Sequence, residues 1–296
     1  MLHSLGIDDE CHIALLSDGR TLSYAEFGSK AGYPVLWNHG GPGNRMEPAM
    51  CMDARDSEGF RIICPDRPGY GKSTPKPSRS IGDWSADVRE LLDSLGVKDY
   101  VAVGVSTGGA YALALAASTK RVRAAISCCS VTDTRWVEGR SMMPDAAMFW
   151  NMPDREAAMR LAEAQFGSHG EKLKDLVDYS KLPRADQETL SMSGWQEGFT
   201  KFSQISFSQG VAGYVDDRIA DGQGWVSFNI EDISCPVMLL HGDADVIVPL
   251  AHSTHTSRLI PSAELIVRPD QGHFSITGSI MSALQKCVPI GHSNHE

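Results

Sequence analysis

Residues 100–117 read YVAVGVSTGGAYALALAA, and this stretch joins a strand pattern to a helix pattern through a turn of small residues. Tyr100–Val105 is rich in β-branched residues, which favour strands, and Gly108–Ala117 is rich in helix formers. Strand patterns recur at residues 20–27, 34–38, 60–64, 122–129, 237–240 and 263–267. Strands that alternate with helices predict an α/β fold with a doubly wound, mostly parallel β-sheet flanked by helices.

The strand pattern is interrupted between Thr132 and Ile233, where apolar residues recur at helical spacing, as in Asp154–Phe166. No flexible linker marks either end of this stretch, so an all-helical cap inserted late in the core is favoured over a separate helical domain. The predicted boundaries are 1–132 for the N-terminal part of the core, 133–232 for the cap and 233–296 for the C-terminal part of the core.

Composition excludes several classes of function. The chain has 296 residues, 42% of them hydrophobic, and a formal net charge of -10. This fits one large domain with an insertion, and the negative charge opposes binding to nucleic acid or to anionic membranes. No apolar stretch is long enough to span a bilayer. We therefore expect no nucleic-acid or membrane partner, and a monomer or homodimer.

Cysteine usage and the N-terminal residues bear on the compartment. The seven cysteines are odd in number, and most lie in apolar runs without a C-x-x-C pair, which is typical of reduced core residues. Residues 1–12, MLHSLGIDDECH, carry acidic residues and no apolar core, unlike a signal peptide. Both features predict a cytoplasmic protein.

The turn at Gly104–Gly108 has the pattern G-x-S-x-G. A serine on a sharp strand-to-helix turn has a strained backbone and needs small residues two positions before and after it. Gly104 and Gly108 meet this need, so Ser106 is expected at the tip of the turn, beside the positive end of a helix dipole. Ser106 is therefore the predicted nucleophile.

A serine hydroxyl needs a base, and the base needs an acid that orients it. His273 follows a predicted strand, and Gly272 before it lets the backbone turn over the edge of the sheet. Asp245 lies in the loop after the strand at 237–240 and is the predicted acid. Asp243 and Asp133 are competitors for that role.

Attack on a carbonyl creates an oxyanion that backbone N–H groups stabilise. Thr107 N–H, at the start of the helix, is one predicted donor. Gly41 N–H in the loop His39–Gly43 is the other, because glycine allows close approach of the backbone to a substrate. His39 is predicted to anchor this loop by side-chain hydrogen bonds rather than to act as a base.

Five motifs occur in this order: HGGPG at 39–43, DRPGYGKS at 66–73, GVSTGG at 104–109, HGDADVIVP at 241–249 and PDQGHF at 269–274. Together they resemble the α/β-hydrolase superfamily, in its serine-nucleophile branch with an HGGPG oxyanion loop, which contains esterases and proline iminopeptidases. The order Ser106, Asp245, His273 is that of the superfamily. Epoxide hydrolases and haloalkane dehalogenases carry Asp where this chain has Ser106, and proline iminopeptidases usually carry Trp where it has Thr107.

The resemblance implies a serine hydrolase that cleaves a carboxylic ester, or a similar acyl substrate with an apolar portion, through an acyl-enzyme without a cofactor. A proline iminopeptidase-like aminopeptidase, a lactonase and a carbon–carbon bond hydrolase remain alternatives, as does a non-catalytic receptor for a small ligand. Metal catalysis is not expected, because the hydrolase roles explain His241, Asp243 and Asp245 better than ligation does.

The cap is rich in methionine and aromatic residues. Such side chains either pack cap helices onto the core or line an adaptable apolar pocket. The predicted pocket residues are Met148, Trp150, Trp195, Phe199 and Phe202. An aminopeptidase would in addition need a cap carboxylate turned inward to hold the ammonium group of its substrate.

Overall fold

Eight strands form one sheet in the computed structural model, which describes residues 11–52, 57, 59–175 and 177–288. The sheet order is β1-β2-β4-β3-β5-β6-β7-β8, in which β1 and β2 run antiparallel to their neighbours and every other pair is parallel. The strands are β1 (His12–Leu15), β2 (Thr21–Gly28), β3 (Tyr33–Asn38), β4 (Phe60–Pro65), β5 (Tyr100–Val105), β6 (Val122–Cys128), β7 (Val237–Gly242) and β8 (Glu264–Arg268).

Helices cover both faces of this sheet, and one apolar core lies on each face. The predicted α/β fold with a doubly wound, mostly parallel sheet is confirmed. The helices are α1 (Glu47–Cys51), α2 (Trp84–Ser94), α3 (Gly108–Ser118), α4 (Val137–Ser141), α5 (Pro144–Trp150), α6 (Arg155–Phe166), α7 (Arg184–Leu190), α8 (Trp195–Ser206), α9 (Ala212–Gly222), α10 (Ala251–Leu259) and α11 (Ile280–Cys287).

The sequence patterns missed the first strand. β1 has only four residues and forms a hairpin with β2 at the edge of the sheet. Ile13 and Leu15 in it are largely exposed, so its alternation of apolar and polar residues is weak. Residues 1–10, whose acidic side chains are unlike those of a signal peptide, lie outside the described residues.

The turn between β5 and α3 is tightly packed at Gly104 and Gly108, as the sequence predicts. A Cβ atom at Gly104 would overlap the backbone of Gly108, and one at Gly108 would overlap the carbonyl oxygen of Asn38 on the neighbouring strand. The helix α3 can therefore approach β5 and β6 only with glycine at these two positions. This contact sets the height of Ser106 above the sheet.

Six helices, α4–α9, lie between β6 and β7, and the described residues of this segment contain no strand. They form the helical cap, whose boundaries at 133 and 232 stay a prediction. None of the described helices has the length and apolar content that crossing a bilayer requires.

The last cap helix, α9, is anchored to the core by a buried carboxylate. Asp217 Oδ2 accepts a hydrogen bond from Arg67 Nη2 at 2.8 Å, and its Oδ1 accepts from Arg79 Nη2 at 2.6 Å and from Tyr111 Oη at 3.0 Å. Burial alone would raise the pKa of Asp217, but the two guanidinium groups hold it well below its ordinary value. The cap is therefore joined to the core by charge as well as by apolar packing.

Removing this carboxylate takes from the buried Arg67 its ion-pair partner and leaves the buried Arg79 only the longer, 3.7 Å contact with Asp216. We expect Asp217→Ala to lower the free energy of unfolding by about 3–5 kcal/mol, measured by urea denaturation at neutral pH. The matched control is Glu188→Ala, which breaks the exposed 2.7 Å pair with Arg184 and should change that free energy by less than about 0.5 kcal/mol. Equal effects of the two changes would contradict a structural role for the buried network.

Candidate active site

Ser106 lies on a strained turn at the carboxyl end of β5. Its φ angle is 53°, in a region that residues other than glycine seldom adopt. The turn is held at both ends, because Ser106 N donates to Cys128 O at 2.8 Å and Gly109 N donates to Ser106 O at 3.1 Å. The side chain is partly exposed and lines both cavities described below. These features are those of a strained strand-to-helix turn, and the role of Ser106 as nucleophile stays a prediction.

His273 and Asp245, the predicted base and acid, are in contact. His273 Nδ1 and Asp245 Oδ2 are 2.8 Å apart, and both side chains are buried. The other carboxylate oxygen of Asp245 accepts the backbone N–H groups of Ile247 and Val248, each at 2.8 Å. Those two bonds hold the carboxylate in the orientation that it presents to the imidazole.

The two groups shift each other's pKa in opposite directions. Burial lowers the pKa of His273, but the neighbouring Asp245 carboxylate outweighs it and holds the pKa well above its ordinary value. Burial raises the pKa of Asp245, yet His273 and His241 together bring it well below its ordinary value. The ionised carboxylate therefore stabilises the imidazolium of His273 relative to the neutral ring, and the imidazolium is the form that arises when the base takes a proton.

The two competing acids lie elsewhere. Asp243 Oδ1 accepts the backbone N–H of Asp270 at 2.7 Å, at the start of the loop that leads to His273. Asp133 pairs with Arg135 at 2.5 Å and accepts the backbone N–H of Trp225 at 3.3 Å. Of the three predicted candidates, only Asp245 has a hydrogen bond with the imidazole.

The glycine loop after β3 lies against the turn that carries Ser106. A Cβ atom at Gly41 would be 3.1 Å from Thr107 Oγ1, so the two predicted oxyanion donors belong to adjacent backbone segments. His39 is fully buried, with its Nδ1 2.8 Å from Gly40 O and its Nε2 accepting the N–H of Arg67 at 3.1 Å. His39 thus contacts its own loop and the next one.

A buried glutamate that the sequence analysis missed also supports this loop. Glu47 Oε1 accepts Gly40 N–H at 2.9 Å, and Oε2 accepts Trp37 Nε1–H at 2.8 Å. Burial raises the pKa of Glu47 to about 7, against the opposing effect of these hydrogen bonds. Glu47 follows the glycine loop by only four residues, and that proximity was the one signal in the sequence that pointed to it.

Two cavities meet at Ser106. An apolar cavity of about 230 Å³ contains Ser106 and His273, and a second cavity of about 570 Å³ contains Ser106 and Thr107. Gly41 and Ile247 line both. The serine therefore lies at the junction of two spaces, each large enough for part of a small molecule.

The predicted pocket residues divide into two groups. Trp195, Phe199 and Phe202 line the apolar cavity, where the rings of Trp195 and Phe199 stack with centroids 4.9 Å apart. Met148 and Trp150 line neither cavity. Met148 is exposed, and Trp150 packs with Val131 and Val248 in a small separate cluster under the guanidinium of Arg140. For these two residues, the structure favours the simpler explanation of surface and packing.

The cap also holds the loop that carries His273. Asp186, buried on α7, accepts three hydrogen bonds at Oδ1: from Phe274 N at 3.2 Å, Ser275 N at 2.8 Å and Ser275 Oγ at 2.6 Å. The backbone on one side of the imidazole is thereby tied to a cap helix. No pattern near Asp186 in the sequence indicated this contact, because its partners lie almost ninety residues away.

One group of side chains among the described residues has a spacing compatible with a metal ion: Cys129, Asp245 and His273. Two of the three are the predicted acid and base, so an ion there would compete with their hydrogen bond. The prediction that no metal takes part stays a prediction.

The raised pKa of Glu47 makes stability depend on pH with a defined sign. A buried carboxyl with a pKa of about 7, against 4.5 when exposed, favours folding while protonated, and this contribution is lost as pH rises from 4.5 through about 7. Glu47→Gln cannot titrate. We therefore expect the free energy of unfolding of Glu47→Gln, minus that of the unchanged protein, to increase with pH across this window, as measured by urea denaturation. A difference that does not vary with pH would contradict the assignment.

Known proteins share this architecture. The model of the alpha/beta hydrolase fold family matches residues 33–277. A non-heme haloperoxidase of Rhodococcus erythropolis is 27% identical over 273 residues, covering 87% of this chain and 90% of that protein. A proline iminopeptidase of Xylella fastidiosa is 26% identical over 302 residues, covering 92% and 93%. The structure of a thermophilic esterase from Thermogutta terrifontis has a TM-score of 0.67 at 24% identity, covering 94% of this chain and 97% of that one. Since the family model spans most of the sequence, the chain belongs to the alpha/beta hydrolase fold family.

Proposed function

We propose that this protein is a carboxylic-ester hydrolase in which Ser106 is the nucleophile, His273 the base and Asp245 the acid that orients it. One observation carries the proposal. His273 lines the same apolar cavity as Ser106, and its Nδ1 lies 2.8 Å from Asp245 Oδ2. The strained φ of Ser106 adds to it, because backbone strain of this kind occurs mainly at functional sites.

The proposed reaction has two steps. In the first, the Ser106 oxygen bonds to the ester carbonyl carbon, His273 takes the hydroxyl proton, and the carbon–oxygen bond to the alcohol breaks as His273 returns the proton to the leaving alkoxide. In the second, water attacks the acyl-serine, His273 takes a proton from it, and the acid leaves as Ser106 regains its proton. Asp245 stays ionised and stabilises the imidazolium throughout.

The negative charge on the carbonyl oxygen has two proposed backbone donors, Gly41 N–H and Thr107 N–H. Thr107 is the residue before α3, so its N–H also lies at the positive end of that helix. Glu47 and His39 support the proposal indirectly, since both are hydrogen-bonded to the loop that contains Gly41. Preorganised donors of this kind contribute several kcal/mol to the stabilisation of the transition state.

The apolar cavity supports a substrate with a hydrophobic portion. Its cap side is lined by Leu173, Val177, Trp195, Phe199 and Phe202, none of which ionises. A small ester with an aliphatic or aromatic part would bury that part there and leave its carbonyl at Ser106. A lactone could react through the same steps, because a cyclic ester presents the same carbonyl.

An aminopeptidase is the second candidate, favoured by the HGGPG loop and by the proline iminopeptidase relative. It needs a carboxylate to hold the substrate ammonium. Among the described residues that line the apolar cavity, Glu47 is the one carboxylate, and both of its oxygens already accept hydrogen bonds. Asp145 and Asp178 line the second cavity but are exposed, which weakens their hold on an ammonium group. We therefore favour the esterase.

We further infer a cytoplasmic protein that acts on a small molecule as a monomer or homodimer. The absence of any disulfide among the described cysteines supports the reducing compartment, as does the burial of Cys64, Cys128 and Cys129.

The nucleophile is tested by Ser106→Ala. We expect the loss of more than 99% of the hydrolysis of 4-nitrophenyl butyrate and of all labelling by a fluorophosphonate probe, because Ser106 lines the same cavity as the proposed base His273 (a loss of about 10⁶-fold is usual for such residues). Ser282→Ala, an exposed serine on α11, is the matched control and should retain both. Unchanged labelling of Ser106→Ala would overturn the proposal, and labelling without any turnover in the unchanged protein would favour a receptor.

The two candidate activities are separated by substrate. We expect cleavage of 4-nitrophenyl esters without cleavage of prolyl or alanyl 4-nitroanilides, because none of the described residues that line the apolar cavity offers an unpaired carboxylate. Both assays release a yellow product and can be run side by side. Faster cleavage of the anilides than of the esters would reverse the order of the two candidates.

A further inference from the structure

The second cavity has a buried cation at its base. Arg218, on α9, lines this cavity of about 570 Å³ and is only 4% exposed. Most of the remaining lining is apolar, including Met143, Phe149 and Val248. A guanidinium in such surroundings is costly unless it has partners.

Arg218 touches both predicted oxyanion residues. Its Nη2 donates a hydrogen bond to Thr107 Oγ1, and a Cβ atom at Gly41 would lie 2.8 Å from the same nitrogen. The guanidinium therefore lies next to the two predicted oxyanion residues, and its residue lines the second cavity and not the apolar one.

The partners of Arg218 within the protein leave one donor unused. Asp221 Oδ2 pairs with Nη2 at 2.6 Å, but the buried Nε–H has no hydrogen-bond partner among the described residues. Buried N–H groups are almost always paired, so the guanidinium of Arg218 has hydrogen-bonding capacity that the described residues do not use. Because the donor is charged, an anionic acceptor gains most from it.

The charges around α9 also leave a positive surplus. Asp217 pairs with Arg67 and Arg79, and Asp216 pairs with Arg155 and contacts Arg79. Arg218 pairs with Asp221, so the cluster has four guanidinium groups and three carboxylates. The cluster comprises Arg67, Arg79, Arg155, Arg218, Asp216, Asp217 and Asp221. Among the described residues, three other charged side chains line the cavity, Asp145, Asp178 and Lys181, and all are exposed; Asp178 and Lys181 pair at 3.1 Å. Arg218 is therefore the one buried charged group among these lining residues.

The position of the base distinguishes the two cavities. His273 lines the apolar cavity and not the second one, and the group that receives its proton is the leaving alcohol. The alcohol part of an ester therefore belongs in the apolar cavity and the acyl part in the cavity of Arg218.

We propose that the second cavity binds a carboxylate on the acyl part of the substrate through Arg218, so that the preferred substrates are monoesters of dicarboxylic acids with an apolar alcohol. This inference rests on the ester hydrolysis proposed above and adds the substrate class. Arg218 acts as a specificity-determining residue, since it holds the far end of the acyl chain while Ser106 attacks the near end.

The test compares esters matched in length. We expect the 4-nitrophenyl monoesters of glutaric and adipic acid to exceed 4-nitrophenyl pentanoate and hexanoate in kcat/KM by about 10- to 100-fold at low ionic strength, mainly through KM, as a charge-assisted hydrogen bond would give. Neutral esters that are turned over equally well or better would overturn the proposal while leaving the esterase intact.

Variants of the ion pair show whether Arg218 is responsible. Asp221→Asn frees Arg218 of its counter-charge, so it should increase the preference for the monoester. The double variant Arg218→Gln with Asp221→Asn leaves no charge of this pair buried alone, so it should fold and lose the preference. Arg61→Gln, which breaks the 2.6 Å pair with Glu26 outside the cavity, is the control and should keep it. A preference that survives the double variant, or that does not rise in Asp221→Asn, would contradict the assignment.

Two further measurements separate the parts of the inference. A preference for 4-acetoxybenzoate, which carries a carboxylate on its alcohol part, over the neutral phenyl acetate would overturn the assignment of the cavities. If no ester were hydrolysed, the proposed function would fail, and the subsite would be tested by calorimetry with glutarate. Binding that the double variant abolishes would support the subsite, and absence of binding to the unchanged protein would remove it.

Discussion

A single buried guanidinium, that of Arg67, joins the parts of the molecule on which the candidate site depends. Its Nε and Nη2 donate to Asp217 of the cap at 3.0 and 2.8 Å, Nη2 also donates to Gly40 O at 2.7 Å, and Nη1 donates to His39 O. Its carbon lies 4.6 Å from the centre of the Tyr111 ring on α3. Only the planar fork of arginine reaches a cap helix, the glycine loop and the helix after Ser106 at once, and lysine has no equivalent geometry. The loop before Ser106 and the cap above it therefore share one anchor.

The end of the sheet around Ser106 holds an unusual density of buried charge. Glu47, Asp217, Arg218 and the pair Asp245–His273 all lie there, each with hydrogen-bond partners that offset part of the cost of burial. The apolar cores on the two faces of the sheet stabilise the fold and offset the free-energy cost of these buried charges. The strained backbone of Ser106 adds to the cost in the same place. This separation, with stability in the layers and strain at the carboxyl ends of the strands, is what an open parallel sheet makes possible.

Local features of this fold were predictable from the sequence, whereas contacts between distant residues were not. The strand Tyr100–Val105 was predicted with its observed bounds, because six consecutive buried residues leave a clear pattern. β1 was missed, because its four residues are partly exposed and leave no clear pattern. Asp245 was chosen over Asp243 from its distance past a strand, and the structure gives it the contact with His273. Asp186 and Arg218 escaped notice, since their partners lie about ninety and more than one hundred residues away and a charged residue on a cap helix looks like a solvated one.

The hydrogen bonds of Asp186 make the cap and the imidazole loop mechanically one unit. A movement of α7 away from the sheet would pull on the backbone of Ser275, two residues from His273, so the site cannot open widely on this side without disturbing its own base. Near α5 and the exposed Met142, the described residues make no comparable contact with the loop of His273. A substrate that enters on that side would therefore disturb the base less. For the same reason, a cap segment exchanged into this chain from a relative would hold Ser275 only if it brought a carboxylate at the position of Asp186. Without that carboxylate, the imidazole would keep its bond with Asp245 while its loop lost the tie to the cap.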